Sequence, residues 1–254
     1  MNWVDRKTGK SRRPFVIRQG KRLMPWVDAM IARSSRVPND PVIDPDLFEW
    51  THILRAMWPE IRCEALHVIR QIGTVPPLRN VSPDHRRIAL DDRWRSYFLI
   101  GYGERIESNL EQCPITAAAL ASVPGLNTGF FSVLAPGTHI PRHRGVTKGL
   151  LTCHLGLSVP PHEGLRMELD RRTVRWRDGA TLVFDDTWPH EVWNDTDEAR
   201  IILLIQFERP LRQPGRAIAR TFLSAIRRSA FVRDARANLQ WDNVVRTLKR
   251  QAND

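Results

Sequence analysis

Residues 136–210 contain four informative segments: PGTHIPRHRG (136–145), TCHLGLSVP (152–160), FDDTWPHEVWND (184–195) and ARIILLIQFERP (199–210). Side chains alternate between the two faces of a strand, so residues two apart share a face. In the last segment both faces are largely apolar, which is typical of a strand buried on both sides within a barrel or sandwich. One of those faces carries Arg200, Ile202, Leu204 and Gln206.

Arg200 is a charged residue near the start of this apolar strand. A guanidinium keeps its proton, and inside a sheet it therefore requires a partner anion or a route to solvent. Two interpretations are open at this point. Either Arg200 forms a structural ion pair with Asp195, Asp197 or Glu198, or its planar fork receives the carboxylate of a small ligand.

Two histidines in this stretch, His143 and His190, have a setting that suits a metal. Two neutral imidazoles can ligate a borderline divalent ion such as Fe(II) and leave several coordination positions open. His139 lies four residues before His143, so we expect the two to share a strand face and to compete for the metal role.

The acidic residues nearest to His190 are Asp185, Asp186 and Glu191. They are candidates for a third, carboxylate ligand. Alternatively, they hold the loop in shape and accept a proton from a ligand imidazole. We expect Trp188 and Trp193 to pack around the metal and to limit the access of water.

The same alternation over residues 149–159 predicts that Thr152 and His154 share a face, and that Lys148 joins them if the strand starts that early. A histidine and a lysine on an inward face can bind an anion. The alternative is that His154 is a core histidine whose ring is satisfied by a backbone carbonyl.

Three longer runs, FFSVLAPGTHIPRHRG (130–145), CHLGLSVP (153–160) and WRDGATLVFDDTWPHEVWNDTDEARIILL (176–204), together carry a family resemblance. In order and spacing they resemble the aspartyl/asparaginyl β-hydroxylases over roughly residues 93–210. The resemblance implies a double-stranded β-helix, mainly β with flanking helices, and a hydroxylase that uses Fe(II), 2-oxoglutarate and dioxygen. The family includes bacterial branches similar to lipid A and ornithine-lipid acyl-chain hydroxylases.

The resemblance also implies roles for individual residues. His143 and His190 match the iron-binding histidines. Arg200 matches the arginine that pairs with the distal carboxylate of 2-oxoglutarate, and Ser132 and His154 match residues near that co-substrate.

Two positions depart from common patterns. Many Fe(II) oxygenases have a carboxylate two residues after the first histidine, but here that position is Gly145, as in the aspartyl-hydroxylase branch. Thr152 stands where the family commonly has an arginine. A buried substrate carboxylate needs a cation or several donors, so we expect a substrate that is neutral near the reacting carbon. A lipid acyl chain or small molecule is favoured over peptidyl aspartate, with Thr152, Lys148 and His85 as candidate substrate contacts.

The amino-acid composition limits the classes of protein to which this chain can belong. The 254 residues carry a formal net charge of +11 and 42% hydrophobic residues, a composition typical of a folded protein. The basic balance indicates an anionic partner or, for much of the charge, simply a basic, solvated surface, and no motif is typical of nucleic-acid binding. The three cysteines lack CxxC spacing, which fits a reducing compartment. With no apolar run long enough to span a bilayer, we expect a cytoplasmic protein, in peripheral contact with an anionic membrane if its C-terminal helix binds one.

Three segments are expected: a basic lead with helical support (1–92), the catalytic core (93–210) and a basic amphipathic helical tail (211–254). Five prolines predict that residues 1–45 are irregular, and helices are expected at 46–57, from Pro59 to Ile69, and at 114–121. Strands are predicted at 93–102, 128–135, 138–143, 149–159, 165–169, 174–176, 180–185 and 199–207.

The tail has an apolar stripe, formed by Ile218, Phe222, Ile226, Phe231 and Val232. Such a helix docks on the barrel or on a second copy, or lies on an anionic membrane surface. Two other functions therefore stay open beside a hydroxylase: a non-catalytic barrel that binds a small acid, and a membrane-surface or partner-binding module.

Overall fold

Two antiparallel β-sheets face each other and are flanked by helices in a computed structural model, which describes residues 15–71, 75–81, 87–229, 232, 233 and 237. The helices are α1 (Phe15–Arg33), α2 (Trp50–Ala56), α3 (Trp58–Gln71), α4 (Leu78–Val81), α5 (Glu107–Leu110), α6 (Pro114–Ala121) and α7 (Gly215–Arg227). A short 3-10 helix spans Pro45–Leu47.

The strands are β1 (Val42–Ile43), β2 (Trp94–Gly101), β3 (Glu104–Arg105), β4 (Leu126–Leu134), β5 (Thr138–His143), β6 (Leu150–Ser158), β7 (Leu165–Leu169), β8 (Arg172–Val174), β9 (Thr181–Phe184), β10 (His190–Asn194) and β11 (Arg200–Glu208). The larger sheet has the order β1-β9-β6-β11-β4-β2-β3, and the smaller has the order β5-β10-β7-β8. The predicted fold class, a mainly β double-stranded β-helix with flanking helices, is confirmed.

Strand β11 lies in the middle of the larger sheet, between β4 and β6, which explains why both of its faces are apolar. Ile201, Leu203, Ile205 and Phe207 belong to the core under α2, α3 and α6, whereas Ile202 belongs to the core between the two sheets. Burial of each such side chain stabilises the folded state by on the order of 1.5–3 kcal/mol, so β11 stabilises the hydrophobic cores on both of its faces. The alternation predicted for this strand is confirmed.

The N-terminal lead differs from the prediction. Residues 15–33 form a helix, although an irregular segment is expected from its prolines. Among the prolines of this lead that the structure describes, only Pro25 lies inside the helix, with an exposed side chain, so the number of prolines overstates how often the chain is broken. The lead also supplies β1, which pairs with β9 through Val42 and Phe184.

The other predicted strands and helices agree with the structure to within a few residues. The strand expected at 174–176 lies at Arg172–Val174, and the helix expected at 46–57 is divided into the 3-10 turn and α2. Four short elements, β3, β10, α4 and α5, were not predicted from the sequence.

Helix α7 docks on the body of the protein. Its buried residues are Gly215, Ala219 and Leu223, spaced one turn apart, and Ala219 packs with Ile31 of α1. The predicted stripe residues Ile218, Phe222 and Ile226 are only half-buried, Val232 is buried, and Phe231 lies outside the described residues. Within the described part of the chain, no helix has the length and apolar character needed to cross a membrane.

Candidate active site

A pocket with a cavity of about 120 Å³ opens between the two sheets. Its lining includes the four residues predicted to share one face of β11, and Thr152 and His154 of β6. The remaining lining residues are Trp94, Phe98, Tyr102, Thr128, Phe130, Ser132, Ile140, His143, Met167, Phe184, Asp186, His190 and Val192. The pocket is therefore mostly apolar, with a few polar side chains at defined points.

His143 and His190 face each other across the smaller sheet. They are cross-strand partners on β5 and β10, and their ring centroids are 4.0 Å apart. Nδ1 of His143 lies 2.8 Å from the carbonyl oxygen of Pro141, and Nδ1 of His190 lies 3.0 Å from that of Trp188. A carbonyl only accepts, so each Nδ1 carries the proton and each Nε2 keeps a free lone pair.

Both rings are held neutral. Burial, together with the neighbouring His190, lowers the pKa of His143 to about 4, and burial lowers the pKa of His190. Neutral imidazoles with free Nε2 atoms are the form that binds a divalent metal, so the arrangement suits two-histidine ligation.

His139 does not compete for this role. Between the pairs His190–His143 and Val192–Ile140, two residues of β5 oppose one of β10, which is a β-bulge. The extra residue reverses the alternation, so His143 faces the pocket while His139 is exposed and lies 2.7 Å from Glu191. The expectation that the two histidines share a face is wrong because it assumed an unbroken strand.

The three acidic candidates near His190 have different positions. Asp185 is fully buried and binds Lys148 and Arg209, and Glu191 pairs with His139 away from the pocket. Only Asp186 lines the pocket, where its Oδ2 accepts from Thr152 at 3.1 Å and from Gln206 at 3.3 Å. Burial raises the pKa of the Asp186 carboxyl to about 6.

Gly145 lies directly against Asp186. A Cβ atom at position 145 would overlap Oδ1 of Asp186, and the Gly145 amide donates to the Asp186 carbonyl at 2.7 Å. Because Gly145 has no side chain, it leaves space for the Asp186 carboxylate, which lies in the loop between β9 and β10. The described residues contain no group of three or more His, Cys, Asp or Glu side chains placed to hold a metal ion.

Arg200 lies in the interior with 2% of its surface exposed. Its Nη2 donates to Ser132 at 3.2 Å, its Cζ lies 4.8 Å from the Trp176 ring centre, and Nε has no partner among the described residues. Burial lowers the pKa of Arg200 to about 9. Asp195 instead pairs with Arg166, so the structural ion pair considered for Arg200 is not formed with it, nor with Asp197 or Glu198 in the described region.

Ser132 and His154 complete the surroundings of Arg200. Ser132 Oγ accepts from Trp94 at 3.0 Å as well as from Arg200. Trp176 donates to Nδ1 of His154 at 3.0 Å, so the neutral ring carries its proton on Nε2, which is buried without a partner in the described chain. Burial holds the pKa of His154 well below its usual value. His154 is thus oriented by a tryptophan, and not by the backbone carbonyl considered from the sequence.

Trp94 and Trp176, which orient this polar group, were not predicted as site residues from the sequence. A buried indole N–H usually finds an acceptor, so a tryptophan predicted on an inward face is a signal of this kind.

Three of the residues expected near the site lie elsewhere, and a fourth is outside the described residues. Lys148 precedes β6, is absent from the pocket lining and binds Asp185 at 2.6 Å. His85 lies outside the described residues. Trp193 stacks on His139 and Arg166, away from the pocket, and Trp188 lies beside Lys148, so neither tryptophan lines the metal-binding face as expected.

Known proteins with similar sequences include two hydroxylases. An ornithine lipid ester-linked acyl 2-hydroxylase from Rhizobium tropici is 34% identical over 222 residues, which cover 87% of this chain and 79% of that protein. The human aspartyl/asparaginyl β-hydroxylase is 30% identical over 173 residues, which cover 65% of this chain but 22% of that protein.

Among solved structures, a cupin domain of a transcriptional regulator from Enterobacter cloacae aligns with a TM-score of 0.32 and 15% identity, over 45% of this chain and 96% of that one. A sequence model described as aspartyl/asparaginyl β-hydroxylase matches residues 55–210. The chain belongs to the aspartyl/asparaginyl β-hydroxylase family.

Proposed function

We propose that this protein is an Fe(II)- and 2-oxoglutarate-dependent dioxygenase that hydroxylates an unactivated carbon. The observation that carries the proposal is Arg200, a buried cation without a carboxylate partner in the described residues, in the same pocket as the His143–His190 pair. A buried charge is costly unless an anion meets it, so the pocket is built for an anionic ligand.

The donor set fits the metal. His143 and His190 would hold Fe(II) through their Nε2 atoms, because each Nδ1 is engaged by a backbone carbonyl. Those two bonds fix the ring orientations before the metal arrives. With only two protein imidazoles, positions stay available for a bidentate co-substrate and for dioxygen.

The polar group around Arg200 fits one carboxylate of 2-oxoglutarate. Arg200 presents a planar fork, the hydroxyl hydrogen of Ser132 has no acceptor among the described residues, and His154 directs an unpaired Nε2–H inward. All three are donors, as a carboxylate requires. When bound, Fe(II), 2-oxoglutarate and dioxygen supply the oxidising chemistry that replaces a C–H hydrogen by hydroxyl.

The protein supplies position and dryness. Phe98, Phe130 and Leu204 form one row across the larger sheet beside His154, and Ile140, Met167 and Val192 face them from the smaller sheet. Apolar walls exclude water from the reaction and strengthen the polar contacts at Arg200.

We further propose a substrate that is neutral near the reacting carbon, with a lipid acyl chain or small molecule ahead of peptidyl aspartate. Thr152 donates to Asp186 where the family commonly has arginine, so an anionic substrate would meet a carboxylate instead of a cation. The similarity to the Rhizobium tropici acyl 2-hydroxylase over most of the chain supports the same choice.

The first test is anaerobic titration with Fe(II), followed by 2-oxoglutarate turnover in air. We expect His143→Ala and His190→Ala each to abolish tight metal binding and succinate formation, with His139→Ala as the matched control that retains both. Loss in His139→Ala with retention in His143→Ala would refute the ligand assignment. Binding of 2-oxoglutarate without any turnover would favour a non-catalytic barrel.

The substrate is tested by mass spectrometry of lipid extracts, amino acids and aspartate-containing peptides for a gain of one oxygen atom. We expect wild type to modify a neutral substrate and to leave aspartyl peptides largely unmodified, and Thr152→Arg to reduce activity on the neutral substrate, because the new cation pairs with Asp186. Rapid aspartyl hydroxylation by wild type would contradict the substrate proposal while leaving the cofactor assignment intact.

A further inference from the structure

Three exposed arginines lie on helix α7 or just before it. Arg216 and Arg220 are one turn apart on the helix, beside its buried residues Gly215, Ala219 and Leu223, and Arg212 precedes the helix. Residues four apart are neighbours on a helix surface, so Arg216 and Arg220 form a row. The sequence of α7, GRAIARTFLSAIR, contains no acidic residue.

These charges are not neutralised within the described part of the protein. No described carboxylate lies within 4 Å of Arg212, Arg216 or the nearby Arg36, and Arg220 has only a partly exposed partner, Glu208, at 3.4 Å. The row is therefore a surface of strong positive potential that attracts an anion.

Two of these arginines line a groove together with Arg36. Pro124, Leu211 and Leu223 contribute apolar surface to the groove, and Glu208, the partner of Arg220, also lines it. Apolar surface gives no advantage in binding a free inorganic anion. Cationic side chains beside apolar surface match an amphiphile, which has an anionic headgroup and a hydrocarbon part.

Helix α1, which lies beside α7, carries an exposed tryptophan. It packs against α7 through Ile31 and Ala219, and its Trp26 is 59% exposed. Tryptophan is favoured at the boundary between lipid headgroups and hydrocarbon, because its ring is apolar and its N–H is polar.

The surface lies at the same end of the larger sheet as one end of the pocket. Glu208, in the groove, follows Gln206, in the pocket, by two residues on the same strand face. Arg227 of α7 donates at 3.0 Å to Asn127, the neighbour of the pocket residue Thr128.

We propose that α1, α7 and the groove between α7 and the strand ends form a docking surface for membranes rich in anionic phospholipid. Docking there brings the Gln206 end of the pocket towards the bilayer. The use of this orientation for catalysis rests on the lipid substrate proposed above, whereas the docking itself does not depend on that substrate.

The test is co-sedimentation of the full chain with vesicles of neutral phosphatidylcholine, with and without about one-third anionic phosphatidylglycerol. Each basic residue at a membrane surface strengthens binding about fivefold. We therefore expect Arg216→Gln/Arg220→Gln to weaken binding to anionic vesicles about 25-fold and Trp26→Ala to weaken it several-fold. The matched control, Arg171→Gln/Arg172→Gln, removes two exposed arginines at the start of β8 and should retain wild-type binding.

Several outcomes would overturn the proposal. They are equal binding to neutral vesicles, an equal loss in the control variant, or release by millimolar inorganic phosphate but not by sodium chloride of the same ionic strength. Binding of a random oligonucleotide that the Arg216/Arg220 variant loses, without vesicle binding, would assign the surface to nucleic acid. The measurement uses neither iron nor 2-oxoglutarate, so its failure leaves the proposed chemistry untouched.

Discussion

At the scale of single residues, Arg200 is the side chain that suits the pocket to a carboxylate ligand. It is buried, oriented by Ser132 and Trp176, and without a carboxylate partner in the described residues. We expect Arg200→Ala to weaken 2-oxoglutarate binding by on the order of 2–5 kcal/mol, as for the loss of one side of a buried charge pair. Arg200→Lys should recover only part, because a point charge does not replace the planar fork.

The measurement is calorimetric titration of the metal-loaded protein with 2-oxoglutarate. Arg166→Ala is the control, because Arg166 forms an exposed pair with Asp195 outside the pocket. An unchanged affinity in Arg200→Ala would mean that the arginine has a structural role.

Gly145 is a second residue with a specific requirement. Its missing side chain leaves the space that Oδ1 of Asp186 fills. We expect Gly145→Ala to lower the unfolding free energy by about 1–3 kcal/mol, the usual cost of overpacking. The double variant Gly145→Ala/Asp186→Ala should be less destabilised than the sum of the single variants, since the overlap is then removed. Additive effects in urea unfolding would show that the two residues do not interact.

At the scale of elements, the loop that delivers His190 is fixed by Asp185. This carboxylate accepts from the backbone and hydroxyl of Thr187 on one oxygen and from Lys148 and Arg209 on the other. The backbone amide of Lys148 in turn donates to Asp28 of α1 at 3.1 Å. The position of His190 therefore depends on α1, the start of β6 and the end of β11 together.

We expect Asp185→Asn to lower the unfolding free energy by about 3–5 kcal/mol, because Lys148 and the fully buried Arg209 would lose their counter-charge. Asp195→Asn breaks an ion pair whose acidic partner is 54% exposed and should cost at most about 1 kcal/mol. Urea unfolding of both variants compares them directly. A similar small cost for both would contradict the role given to Asp185.

At the scale of the whole molecule, buried histidines make stability depend on pH. The pKa values of His143, His154 and His190 lie below the usual value of 6.5. As pH falls below about 6.5, the unfolded chain binds protons that the folded protein refuses, so the unfolding free energy decreases. Asp186, whose pKa is raised to about 6, acts in the opposite direction and offsets part of this effect.

We therefore expect the metal-free protein to lose stability between pH 7 and pH 5, by at most about 1.4 kcal/mol per pH unit for each histidine kept neutral. Urea unfolding at several pH values measures this slope, and His190→Gln should make it shallower. A slope in His190→Gln equal to that of the wild type would show that His190 is not held neutral by the fold.

The sequence by itself determined the inward faces of the long strands and the residues that they carry into the pocket. Alternation of side chains is a local property of extended backbone, so Arg200, Leu204 and Gln206 of β11, and Thr152 and His154 of β6, could be assigned to the pocket without knowing their partners. The same order of motifs predicted the family and the double-stranded β-helix, which the structure and the comparisons confirm.

Only the tertiary structure decided the features that depend on pairing between distant segments. The bulge that turns His139 away exists because β5 and β10 pair with unequal numbers of residues. Lys148 is a structural residue because folding brings Asp185 within 2.6 Å of it, and Gly145 is needed because Asp186 arrives from across the sheet. Local pattern fixes the direction of a side chain, whereas its partner is chosen by contacts between residues far apart in the chain.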